Sequence, residues 1–168
     1  MEAPDEALNG AEAIATALAI VERISGRGAR RVTGWATVEL DRAERNVAGF
    51  ASPGPTRVRD VPDDALLGAR CRLVTFGPAE PELLLLEPAT EGRIAASLAR
   101  FGEGPVVVYL LVPASSVRNV LRDLRDAGLV LSGEGAGPFG REWLVVGSPP
   151  WGAHLCVAQS AGAATIEP

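Results

Sequence analysis

The stretch from Pro81 to Val112 limits the possible folds more than any other part of the chain. Leu83 to Leu86 is an unbroken apolar run of strand length, the pattern of a strand covered on both faces. Glu87-Pro88 ends it, because proline cannot extend a hydrogen-bonded ladder. Ile94, Leu98 and Phe101 then recur at helical spacing, which predicts a short amphipathic helix. Gly102 and Gly104 close that helix, and Val106 to Val112 reads as a second apolar strand.

The flanks of this unit repeat one order of elements. On the N-terminal side a strand at Arg30 to Leu40 leads to a short helix capped by Asp41 and closed by Gly49 and the breakers ASPGP. Strands follow at about 56–60, 70–76 and 82–87. On the C-terminal side the strand 106–112 leads to a helix over 116–127, whose buried face is Val117, Val120, Leu121 and Leu124. Gly128 ends it, and strands follow at about 129–133, 141–147 and 153–159. Each half is therefore β-α-β-β-β, one over 30–87 and one over 105–159, within a single α+β domain of residues 29–160. Residues 1–28 form an extension with a helix from Ala11 to about Ser25. Its apolar face (Ile14, Leu18, Val21 and Ile24) must be buried on the main domain or on a second subunit. Residues 161–168 read as a loose tail.

Composition narrows the function classes. The 168 residues are 47% hydrophobic, enough for one core and too few for two ordinary domains. A net charge of −5, with arginines scattered among acids, argues against nucleic acid. Cys71 and Cys156 are too few and too distant for a disulfide framework or a zinc site. No run approaches the ~18 apolar residues of a membrane span, and the acidic start MEAPDEALNG lacks the basic region of a signal peptide. The expectation is a cytoplasmic protein with no nucleic-acid or membrane partner.

Three pieces in fixed order, Leu85-Leu86-Glu87-Pro88, IAASLARF and Gly102-Glu103-Gly104, carry a family resemblance. Together with the two β-α-β-β-β modules, they resemble the vicinal oxygen chelate superfamily of glyoxalases, extradiol dioxygenases, methylmalonyl-CoA epimerases and bleomycin-type resistance proteins. The match is closest to the epimerases and covers about residues 30 to 159. It implies two modules that form an open, cup-shaped barrel. Metal-dependent members take four ligands, usually His, Glu or Gln, one from each of four strands facing the cup. Carried over, these positions fall on Thr33, Leu84, Val107 and Cys156, which cannot ligate a divalent metal. No metal and no cofactor are expected.

Residues two apart on a strand share a face, so the same four positions extend the expected cup wall. Trp35 and Thr37 follow from Thr33, Tyr109 and Leu111 from Val107, Glu82 and Leu86 from Leu84, and His154 and Ala158 from Cys156. Trp35 and Tyr109 would then face each other, suited to a planar ligand. Trp143, Trp151 and Phe139 would rim the mouth, Arg57, Arg59 and Arg72 would grip a ligand oxyanion, and the Gly-rich segment 133–140 would form a mobile loop above the cup. His154, which titrates near neutrality, and Glu82 are the candidates for proton transfer. Each residue also has a plainer reading. The aromatics fill a collapsed cavity, His154 is structural, Cys156 is a small buried apolar group, Glu82 is a solvated strand end, and Arg72 is a surface arginine.

Two functions fit. One is a cofactor-independent enzyme that isomerises, cyclises or eliminates within a hydrophobic, polyketide-like natural-product intermediate. The other is a binding protein that sequesters a planar antibiotic. A third reading leaves the cup vestigial. A homodimer is expected in each case, from free sheet edges and the apolar face of the first helix.

Overall fold

The computed structural model describes residues 10–26, 30–50, 56–77, 82–89, 91–146 and 153–160. Module 1 consists of β1 (Arg30–Ala36), α2 (Leu40–Phe50), β2 (Arg57–Asp64), β3 (Ala69–Thr75) and β4 (Glu82–Pro88). The linking helix α3 (Arg93–Phe101) leads into β5 (Gly104–Pro113), α4 (Ala114–Asp126), β6 (Val130–Leu131), β7 (Gly135–Gly137), β8 (Gly140–Val146) and β9 (His154–Ser160). Helix α1 (Gly10–Ser25) precedes both modules. The strands form one mixed sheet in the order β2-β3-β4-β1-β5-β9-β8-β6, with β7 also paired to β8. The first strands of the two modules, β1 and β5, run antiparallel at its centre, and each lies parallel to the last strand of its own module. The sheet is open, with β2 and β6 at its two ends. It curls far enough for the β2–β3 turn to reach β7, where the Ala65 N–H donates to the Ala136 carbonyl at 3.0 Å.

Two faces result. The outer face carries the helices. Helix α4 and the apolar side of α1 cover Val108, Leu110, Val112, Trp143, Val145, Leu155 and Val157. Helix α2 covers Val74 and Leu85 through Leu40 and Ala43. The face of α1 buried within its own chain is Ala13, Ala17, Ile20 and Val21, while Ile14, Leu18 and Ile24 of the expected stripe are only half-buried. The inner face is lined by Val32, Ala36, Cys71, Leu73, Leu84, Leu86, Val107, Tyr109, Leu111, Leu144, Cys156 and Ala158.

The motifs behind the resemblance act here as anchors for one turn. Glu87, from the strand end Leu85 to Pro88, accepts the Leu40 N–H at 2.8 Å and so caps α2. Arg70 pairs with the same carboxylate. Glu103, between the two glycines, takes the Thr37 hydroxyl at 2.6 Å and the Val38 N–H at 2.8 Å through one oxygen. Two acids from the centre of the chain therefore hold the β1–α2 connection. Asp41, expected as the cap, lies inside the helix instead.

The Gly-rich segment also differs from expectation. Residues 135–137 form β7, paired with β8, and only Pro138 and Phe139 make the turn. The strand expected at 129–133 shortens to Val130–Leu131.

Candidate functional site

The inner face is apolar except for one group of buried polar side chains. Asp64 ends β2, Tyr109 lies in the middle of β5 and Glu142 lies on β8. All three are at most 1% exposed. The Tyr109 hydroxyl donates to Asp64 Oδ2 at 2.5 Å, and Asp64 Oδ1 accepts the Leu67 N–H at 2.7 Å, which closes the β2–β3 turn. Neither oxygen of Glu142 has a partner that could donate to it. Its carboxyl lies directly over Gly137, where an added Cβ would fall 2.1 Å from Cδ, so the site depends on that glycine. Burial is the largest influence on Glu142 and the charge of Asp64 the next. Together they push its pKa up to about 9, which makes it a neutral acid at pH 7. Burial and Asp64 likewise raise Tyr109, so it stays a phenol. Burial raises the Cys71 and Cys156 thiols as well, which leaves both as inert thiols rather than thiolates.

His154 opens β9 beside Val107 and is half-buried at the edge of this face. Burial is the main cause that lowers its pKa and Arg93 the second, while Asp64 opposes them; the imidazole is neutral at pH 7. Glu82 shares the strand face of Leu84 and pairs with Arg30 at 2.9 Å. The space between the walls is filled by the molecule's own groups. Leu67 and Ile94 are fully buried there, Leu66 packs against them, and the Phe139 ring meets Tyr109 edge-on at 5.3 Å between centroids.

The expected site residues divide by face. Leu84, Val107, Tyr109, Leu111 and Cys156 lie on the inner face as expected. Thr33, Trp35 and Thr37 do not, because β1 is placed one residue out of step with the expectation. Val32, Gly34 and Ala36 point inward, opposite Tyr109, Val107 and Leu86. Gly34 has to take that side: a Cβ on it would come within 2.2 Å of Val107 Cγ1. Trp35 and Thr37 instead line a cavity under α2. Arg72 is also on the outer side, where Asp41, Glu44 and Asp60 hold it at 2.6 to 2.9 Å, away from the inner face. Trp143 packs under α4 with the Arg141 guanidinium 5.7 Å from its ring centre, away from the mouth. Trp151 falls outside the described residues.

The resemblance carries its four ligand positions to Thr33, Leu84, Val107 and Cys156, and on β1 the neighbouring Val32 is the residue that faces inward. Three hydrocarbon side chains and a protonated thiol do not fit a divalent metal. Among the described residues no three His, Cys, Asp or Glu side chains converge elsewhere.

Sequence reasoning missed Asp64 and Glu142. Asp64 sits in DVPDDALLG, which reads as a turn, and the side of Glu142 depends on which way Trp143 points.

No protein-family model and no curated protein matches the chain. Solved structures do. A methylmalonyl-CoA epimerase from Mycobacterium tuberculosis is 19% identical with a TM-score of 0.66, over 77% of this chain and 86% of that one. A Streptomyces coelicolor methylmalonyl-CoA epimerase in complex with 2-nitronate-propionyl-CoA is 22% identical with a TM-score of 0.62, over 77% and 95%. A hypothetical protein from Bacillus halodurans is 16% identical with a TM-score of 0.65, over 80% and 96%. The paired modules, the strand order and these likenesses agree: the chain has the fold of the vicinal oxygen chelate superfamily.

Proposed function

We propose that this chain is a metal-independent enzyme that moves a proton on a hydrophobic, polyketide-like intermediate bound at the inner face, giving isomerisation, cyclisation or elimination. The observation that carries this reading is the buried group of Asp64, Tyr109 and Glu142. Burying two carboxyls without a counter-ion costs stability, and nothing in the fold requires it, since the other inner positions of the sheet are apolar. Glu142, held protonated, is suited to donate a proton to a substrate carbonyl or leaving group, while Asp64 is fixed by Tyr109 and the Leu67 N–H. Neutral His154 is suited to take a proton from carbon. An acid and a base with pKa values pushed in opposite directions are the usual basis of acid–base chemistry at neutral pH. Glu82, the other candidate base, is tied to Arg30 at the strand end and is the weaker choice. Substrate entry would require Leu66 and Phe139 to move aside, next to the Ala65–Ala136 and Tyr109–Asp64 hydrogen bonds that join the modules there.

The test is to assay His154→Ala and Glu142→Gln against the intermediate made by neighbouring biosynthetic genes. Each is expected to lower turnover by ~10²–10⁴ with affinity within a few-fold. Full activity in both variants would remove the proton-transfer reading. Tight binding with no turnover in the unmodified protein would favour the sequestering alternative.

The active form is proposed to be a homodimer that pairs through the β6 end of the sheet. There Val130 and Val146 are cross-strand partners and are 63% and 42% exposed, a free apolar edge. Light scattering is expected to give twice the chain mass, and Val146→Lys to give the monomer. A monomer in the unmodified protein at high concentration would count against it.

A further inference from the structure

On the opposite side of the sheet from the buried carboxyls, we infer a second ligand site, under α2, that takes a small, planar, uncharged aromatic molecule. A cavity of about 280 Å³ lies there. Leu83 and Leu85 form its floor, Ala43 and Val47 its roof, and Trp35 one wall.

The space lies beside the contact that α2 makes with the sheet through Leu40 and Ala43. One flank of the helix is tied down through Asp41 and Glu44 to Arg72, and the other through Arg42 to Glu103 at 2.6 Å. Between those ties the helix presents a small residue, Ala43. In module 2 the corresponding helix α4 buries three larger residues, Val120, Leu121 and Leu124.

The lining also limits the ligand. Trp35 is 39% exposed, large for a tryptophan on a central strand, and it offers a ring face for stacking. The two charged lining groups, Arg42 and Glu103, neutralise each other. One Glu103 oxygen is already taken by Arg42, the Thr37 hydroxyl and the Val38 N–H. A charged ligand therefore finds no counter-charge. Among the described residues the Asn46 amide has no hydrogen-bond partner, and it stands at the lining with a donor and an acceptor. The match is a flat apolar ring system of one or two rings with a single hydroxyl or amide group.

The probe is 2-naphthol, titrated by calorimetry and followed by the Trp35 indole N–H in NMR spectra; 2-naphthalenesulfonate is the charged control. Expected are saturable binding at one site, a shift of the Trp35 signal rather than that of Trp143, and at least tenfold weaker binding of the sulfonate. Ala43→Leu, which fills the cavity, is expected to weaken 2-naphthol at least tenfold without loss of helix content. Asn46→Leu at the mouth, with no packing to lose, is expected to weaken it about fivefold and keeps the test decisive if Ala43→Leu misfolds. Absence of saturable binding, unchanged affinity in both variants, or equal binding of the sulfonate would overturn the inference. So would loss of binding accompanied by a change in oligomeric state, because the cavity would then be a subunit interface. The cup is not involved, so failure of the proton-transfer proposal leaves this result intact, and the reverse also holds.

Discussion

Raising the pH from 5 to 9 is expected to remove several kcal/mol of folding stability, and Glu142→Gln is expected to abolish most of that loss. The argument is linkage. The Glu142 carboxyl has an ordinary value of 4.5, raised in the folded chain to about 9, first by burial and then by Asp64. Between those values the folded state holds a proton that the unfolded state has released. Stability is therefore complete below about 4.5 and falls as the pH rises toward 9. Each unit of difference is worth ~1.4 kcal/mol, so the whole effect is on the order of several kcal/mol. His154 acts in the opposite sense at the acid end. Its pKa is lowered by burial and by Arg93, so its contribution is lost as the pH drops below the ordinary 6.5. Glutamine has nearly the shape of glutamic acid and keeps an amide that can donate toward Asp64. The variant should match the unmodified protein near pH 5 and be more stable at pH 8. Denaturation midpoints at pH 5, 7 and 9 for both proteins decide the matter, and parallel pH dependences would sink the assignment of Glu142 as the buried neutral acid.

The two modules were legible because their signals are local. A four-leucine strand, helices with clear apolar faces and breakers between them survive any tertiary arrangement. The inner side of β4, β5 and β9 came from the family resemblance, which placed Leu84, Val107 and Cys156 there, since the runs themselves are apolar on both faces. Strand β1 was not legible. Its two faces are Val32, Gly34, Ala36 and Thr33, Trp35, Thr37, with no hydrophobic contrast to choose between them, and the position carried over from the resemblance, Thr33, fell on the wrong side. What decides is crowding. β1 lies between β4 and β5, whose Leu86, Val107 and Tyr109 already occupy the inner space, so only the side with the small residues fits inward. The acid cluster was illegible for a different reason: Asp64 and Glu142 come from opposite modules and meet only because the sheet curls. Glu87 and Glu103 show a third case, in which the motif was visible and its structural work, holding the β1–α2 turn, was not.

Crowding at β1 also gives the sharpest test of the register. An alanine at position 34 would place its Cβ 2.2 Å from Val107 Cγ1, 2.8 Å from Leu86 Cδ1 and 3.3 Å from Tyr109 Cε2. All three neighbours are fully buried and cannot withdraw into solvent. Overpacking of this kind costs roughly 1–3 kcal/mol, so Gly34→Ala should lower the melting temperature by several degrees. Val107→Ala alone should also destabilise, by the lost contacts and the cavity left behind. Combined, the two changes should largely cancel, because the methyl added at position 34 enters the space vacated at 107. The double variant should therefore be more stable than the sum of the single effects by ~1 kcal/mol or more, a coupling measurable in a double-mutant cycle. If Gly34 faced α2, with Thr33 and Trp35 inward, the added methyl would be separated from Val107 by the sheet. The two effects would then simply add, and the inner face would have to be redrawn from β1 outward.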